Sequence, residues 1–244
     1  AGTLAVSQGN GLGSGKVTVE PGGQLQLNNG GSTEMAFTAS SIELKDDAAV
    51  TGAPALQASG AVAFGQEVKL ITPAAIGVES GGVLRLTGTP SLTGSALTKV
   101  GLGTLVLAGA NSYSDATRIQ AGILELGGTS TLPSNAALSL SGGSAGNVTT
   151  LRLNGTAQLI GPLSAQSEFT LVDLSASGAK LTTTIAAQGS SFAGAFSGNG
   201  QLNKMGSGVL SVSGASPAFL GDTTVTAGTL AVSQGNGLGS GKVT

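Results

Sequence analysis

Residues 1–18, AGTLAVSQGNGLGSGKVT, return without a single change as residues 227–244. Identity of that length does not arise by chance, and the offset of 226 residues reads as one full period of a tandem array. On this reading residues 1–226 are one repeat and residues 227–244 begin the next copy. If the array tiles, Val225-Thr226 precedes Ala1, and Val19-Glu20-Pro21-Gly22-Gly23 follows Thr244. A long homogenised repeat points to a protein whose job depends on length. The expectation is a single continuous segment over residues 1–244 whose ends are uncapped and whose copies join end to end.

Within the period, short alternating triplets recur. Examples are Leu4-Ala5-Val6, Leu25-Gln26-Leu27, Leu84-Arg85-Leu86, Leu105-Val106-Leu107, Leu124-Glu125-Leu126 and Leu210-Ser211-Val212. Period-two alternation places one set of side chains inward and the other outward, which is a strand signal. Gly, Ser, Asn and Thr clusters bound nearly every triplet as turn punctuation. No stretch keeps a 3.6-residue periodicity, so essentially no helix is expected.

Longer echoes separate two β architectures. Residues 19–27 (VEPGGQLQL) match residues 78–86 (VESGGVLRL), and shorter forms return at residues 119–126 and 225–232. The shared unit is a β residue, two spacers, Gly, one spacer, then Leu-x-Leu or Leu-x-Val. Spacings near 20 residues, with two or three strands each, are the mark of a solenoid. A β-sandwich would also give frequent turns. It would not repeat one nine-residue pattern, nor carry only 3 % aromatic residues. A parallel β-helix of about 11–13 coils follows from the ~20-residue coil length. Leu25, Leu27, Leu84, Leu86, Leu105, Leu107, Leu124 and Leu126 should line its core. Gln26, Arg85, Val106 and Glu125 should then point outward.

Residues 99–113 (KVGLGTLVLAGANSY), continued by Thr117-Arg118-Ile119-Gln120-Ala121-Gly122-Ile123-Leu124, closely resemble the autotransporter-associated β-strand repeat, also called the passenger-associated transport repeat. That pattern is Gly-x-Gly-Thr-Leu-x-Leu-x-Gly-x-Asn-x-Tyr, then Gly, Thr, a β-branched residue and Gly-x-Leu. A more degraded copy runs from Lys204 to Leu230 and has Pro217-Ala218-Phe219 in place of Asn-x-Tyr; the first copy has Asp115 where the family shows Gly. The resemblance implies a right-handed parallel β-helix in the passenger of a large Gram-negative autotransporter. In that family the passenger folds outside the cell, held at the outer membrane by a separate C-terminal β-barrel.

Composition narrows the chemistry. There is no Cys and no His, so the commonest general base and metal ligand is missing, and stability must come from packing and backbone hydrogen bonds. Glycine makes up 42 of 244 residues and charged residues 9 %, yet apolar residues reach 40 % and mean hydropathy is positive. This is not the low-hydrophobicity, high-charge signature of disorder. A net charge of -2 offers no basic field for nucleic acid.

Several local patterns resemble active sites and fail. Residues 11–17 (GLGSGKV) evoke a phosphate loop, but that loop needs Gly at Asn10 and Ser or Thr at Val17. Ser144 stands in Gly-x-Ser-x-Gly without a base to activate it. Asp46-Asp47 is an adjacent acidic pair, and Glu20 and Glu79 occupy the same point of their motifs; solvated turns are expected for all four. Gly-rich calcium rolls need Asp in a nonapeptide, absent from residues 8–13. Tyr113 and the six Phe residues are expected to fill coil corners rather than stack on sugars. No catalytic, cofactor-binding or metal site is assigned, and no cofactor is expected.

The expected function is a non-enzymatic stalk or fibre of a surface autotransporter, serving adhesion, biofilm or cell–cell contact. Its partners would be adjacent copies, with other fibres or surface glycans or proteins as further candidates. The alternative is a β-helical module that binds or cleaves a polysaccharide.

Overall fold

The computed structural model describes residues 2–31, 33–46 and 53–244. None of the described residues is helical, and the paired strands run parallel in direct residue-for-residue register. The chain is an all-β solenoid whose backbone groups pair with the turns on either side.

Two compact units are present, Ala1–Ala116 with Gly122–Ser130, and Thr117–Ala121 with Thr131–Thr244. In the first unit one face stacks Thr3–Val6, Gln24–Asn28, Leu56–Ser59, Ala74–Val78 and Leu97–Val100. A second face stacks Lys16–Val19, Ser41–Leu44, Glu67–Leu70, Leu92–Gly94 and Asn111–Tyr113. The third stacks Met35–Phe37, Ala61–Phe64, Val83–Leu86, Thr104–Leu107 and Ile123–Leu126.

The second unit repeats this plan. Its first face carries Thr117–Ile119, Leu138–Leu140, Leu163–Ala165, Ser190–Phe192, Val209–Val212 and Thr229–Val232. Ala157–Ile160, Lys180–Thr184, Gln201–Met205 and Thr223–Val225 form a second face, and Thr149–Arg152, Thr170–Asp173 and Ala195–Ser197 a third. Counting first-face strands among the described residues gives five rungs and six, about 11 turns in all.

Alternation explains the core. Leu84, Leu105 and Leu124 are ladder partners, as are Leu86, Leu107 and Leu126, and all eight expected core leucines are buried. Like side chains stacked at the inter-strand spacing fill the interior without large aromatic groups. Gln26, Arg85 and Glu125 stay partly exposed, but Val106, expected outside, is buried. Its ladder partners on that outer side are Arg85 and Glu125, whose apolar stems flank the small valine.

The echoed motif is a turn rather than a marker of one face. Gly23 N–H donates to the Glu20 carbonyl at 2.8 Å, and Gly82 N–H to that of Glu79 at 2.9 Å. Gly22 and Gly81 hold φ of 78° and 74°, the third position of a type II turn, where a side chain would be strained. The first copy of this turn leads from the second face to the first. The other leads from the first face to the third. Glu20 and Glu79 therefore stand at different corners of the coil rather than in one axial row.

Candidate functional site

The period-two rule that buries Leu97 and Leu202 also aims Lys99 and Lys204 inward, two residues further along their strands. Both lysines are fully buried. A buried ammonium without hydrogen bonds is very costly, so its three donors must be satisfied. Lys99 Nζ donates to the carbonyls of Val100 and Gly101 at 2.8 and 2.7 Å. Lys204 Nζ donates to Met205, Gly206 and Ala227 at 3.0, 2.8 and 2.9 Å. Each lysine thus clamps the carbonyls of the corner that follows its own strand.

Those corners are backbone against backbone. Gly101 and Gly206 have φ of 74° and 77°, and a Cβ on either would strike a carbonyl oxygen of the preceding turn, that of Val78 or Ile185. Burial depresses the basicity of both ammonium groups, that of Lys99 from 10.5 to about 7. Neither group is accessible to a substrate, so the arrangement braces a corner rather than performing chemistry.

The first of these segments adds a polar corner. Asn111 Nδ2 donates to Ser130 Oγ at 2.6 Å, while Ser91 Oγ donates to Asn111 Oδ1 at 2.7 Å. Three successive turns are thereby linked through one asparagine. In the second segment Ser216 Oγ accepts from Phe196 N–H at 3.0 Å, and Phe219 packs on Phe196 at 5.9 Å. Tyr113 and Phe219 are both buried, so replacing Asn-x-Tyr by Pro217-Ala218-Phe219 keeps an aromatic plug at the corner.

The family model of the passenger-associated-transport-repeat matches residues 97–126 and 202–232. The chain carries two passenger-associated transport repeats. Lys99 and Lys204 occupy the same, third, position of the two matches, which together span about a quarter of the chain. The repeat family is a structural one, and its presence on a β-solenoid suggests an autotransporter passenger β-helix. No curated protein and no solved structure is similar enough to the chain to be matched with it.

The sequence-level look-alikes resolve locally. In residues 11–17 the Gly11 and Gly13 amides are already bound to the Gln8 and Asn10 carbonyls at 2.9 and 3.0 Å, and a strand follows instead of a helix. Lys16 is paired with Glu43 at 3.0 Å. Ser144 exchanges backbone bonds with Asn147 in an exposed small loop, far from a nucleophile elbow. Glu20 is exposed and ion-paired with Lys45 at 2.7 Å, and Glu79 is exposed. Asp46 departs from expectation: it is buried, and its carboxylate accepts the Ala75 N–H at 3.2 Å. A carboxylate that holds a backbone amide of a neighbouring turn can be buried where a solvated one cannot. Asp47 lies outside the described residues.

Among the described residues no three acidic side chains converge as metal ligands would. Five of the six Phe residues and Tyr113 are buried, as expected, whereas Phe169 is half-buried. The buried lysines were the features that sequence reasoning passed over. Their signal is Leu-x-Lys in inward alternation directly ahead of Gly-x-Gly.

Proposed function

We propose that the chain is a non-enzymatic structural repeat of a surface autotransporter passenger, forming an extended stalk or fibre outside a Gram-negative cell. The observation that carries this reading is the pair of transport repeats, each bracing a coil corner with an inaccessible lysine, within a chain made of stacked parallel rungs. Groups spent on backbone carbonyls are not free for catalysis. The 226-residue identity supports tandem copies as end-to-end partners, and the family implies a secreted surface location with an outer-membrane anchor elsewhere in the protein. Adhesion, biofilm formation or cell–cell contact would follow from holding a distal element away from the cell.

The test is display of arrays of one, two and four copies on a bacterial surface, with a distal epitope located by electron microscopy. Reach that grows in proportion to copy number is expected; reach independent of copy number would refute the stalk.

One cleft favours a second reading. Phe169, Glu168, Gln166 and Gln234 line a shallow depression in the second unit, and an exposed aromatic beside amides and a carboxylate is suited to sugar. Incubation with a glycan panel separates the readings: binding lost in Phe169→Ala, or release of new reducing ends, supports the polysaccharide module, and neither is expected of a stalk.

A further inference from the structure

The duplicated segment occurs in two surroundings, and each copy displays a different neighbour. Near the start of the first unit its strand Thr3–Val6 pairs with the rung that follows it, Leu4 opposite Leu25 and Val6 opposite Leu27. In the second unit the identical strand Thr229–Val232 pairs with the rung that precedes it, Leu230 opposite Leu210 and Val232 opposite Val212. The local conformation is the same in both. Gly11 and Gly13 donate to Gln8 and Asn10, as Gly237 and Gly239 donate to Gln234 and Asn236. Gly13 and Gly239 have φ of 67° and 64°.

The two sets of hydrogen bonds use opposite edges of the strand. Toward the following rung the Gly2 carbonyl accepts from Gln24 N–H at 2.9 Å. Toward the preceding rung Thr229 and Ser233 N–H donate to the Gly208 and Val212 carbonyls at 3.3 and 3.0 Å. Thr229 and Ser233 are the counterparts of Thr3 and Ser7, so odd and even positions serve different neighbours, as a parallel ladder requires. The next strand agrees. Val19, at an odd position, accepts from Lys45 N–H of the following turn at 2.9 Å. Lys242 and Thr244, counterparts of Lys16 and Thr18, bond Thr223 of the preceding turn at 2.8 and 3.0 Å.

Glycines give an independent count. A Cβ on Gly9 would strike the Ala36 carbonyl of the following turn, while its counterpart Gly235 faces open space. A Cβ on Gly239 or Gly241 would strike the Phe219 or Gly221 carbonyl of the preceding turn, while Gly13 and Gly15 face open space. Each glycine is required in one copy and idle in the other. Apolar side chains follow suit: Leu4 is 56 % exposed and lines a cleft with Val17, Val19 and Leu25. In the other copy Leu4's counterpart lies beside Leu210.

We propose that this 18-residue segment is a joining rung. A second copy of the 226-residue unit continues the solenoid in unbroken register, with Val209–Val212 of one copy, the shared strand, and Gln24–Asn28 of the next as consecutive rungs. Lys204 seals the joint through the Ala227 carbonyl, the counterpart of Ala1. The occupant of the exposed edge is a second copy of this chain, because the only bonding and packing pattern left unused in each copy is the one the other copy displays. The inference rests on the tandem repetition proposed above, but not on surface location or adhesion.

The test compares hydrogen exchange in the present chain with that in a chain of residues 1–226 followed by 1–244. In the present chain the ladder parity protects the amides of Thr229, Ala231 and Ser233. In the two-copy chain the amides of Leu230 and Val232 should also slow, by about a hundred-fold or more, as they join an interior rung. Gly235→Val should leave the present chain unchanged and abolish that added protection in the two-copy chain. Unaltered exchange at Leu230 and Val232, or equal tolerance of Gly235→Val in both chains, would overturn the joint. Concentration-dependent protection of the same two amides in the present chain would support it, as the same joint made between molecules. A stalk test that fails while this protection appears would remove the adhesin reading and leave the joint standing.

Discussion

Lys99 shows how a charged residue can be structural. Its ammonium is held by carbonyls rather than by a carboxylate, and burial lowers its basicity to about 7. In the unfolded chain the group titrates near the ordinary 10.5. Between these values the unfolded state holds more protons, so stability rises with pH across that window and the penalty is complete below it. The melting temperature should therefore climb between pH 7 and 9.5, and Lys99→Met should flatten that climb while lowering stability at neutral pH, since the corner carbonyls lose their donors. Thermal melts at several pH values decide this. Leu105, fully buried between Leu84 and Leu124, should cost about 2–5 kcal/mol on replacement by Ala, read from denaturant unfolding. The leucine's role was legible from alternation alone. The lysine's was not, because alternation aims a side chain inward without saying what could compensate its charge.

At the level of the element, strands were easy to read and their faces were not. The triplet Leu84-Arg85-Leu86 announces one buried and one exposed side wherever it lies. The turn motif ahead of it, however, reports only a type II geometry that any corner can use, which is why residues 19–27 and 78–86 lead onto different faces. Nearest-neighbour ladders, not local propensity, fix the face. Asn111 illustrates the consequence: its partners Ser91 and Ser130 are 20 and 19 residues away, and only the coil brings them together. Asn111→Ala should destabilise by about 1–3 kcal/mol, because it removes bonds to two buried hydroxyls at once. Asn111→Asp should retain the bond from Ser91 and rescue part of the loss, measured by urea unfolding of the three proteins.

For the whole molecule, the repeated 18 residues carry more information than any site motif, because they are one sequence seen with both of its neighbours. Solenoid stability approximates a sum of intrinsic rung terms and interfaces between adjacent rungs. A terminal rung lacks one interface and leaves unpaired backbone groups and a slice of apolar core in water, as at Leu4 and Val243, 56 % and 55 % exposed. Joining copies adds whole rungs and converts two such terminal rungs into interior ones at every joint. Chains of one, two and three copies should then melt at rising temperatures, with the largest step from one copy to two and a plateau thereafter as the fixed cost of the two outer ends is spread over more rungs. Differential scanning calorimetry of the three chains at matched mass concentration reads this directly. A melting temperature independent of copy number would mean that each copy folds as an isolated body, with the shared segment serving as a tether instead of a rung.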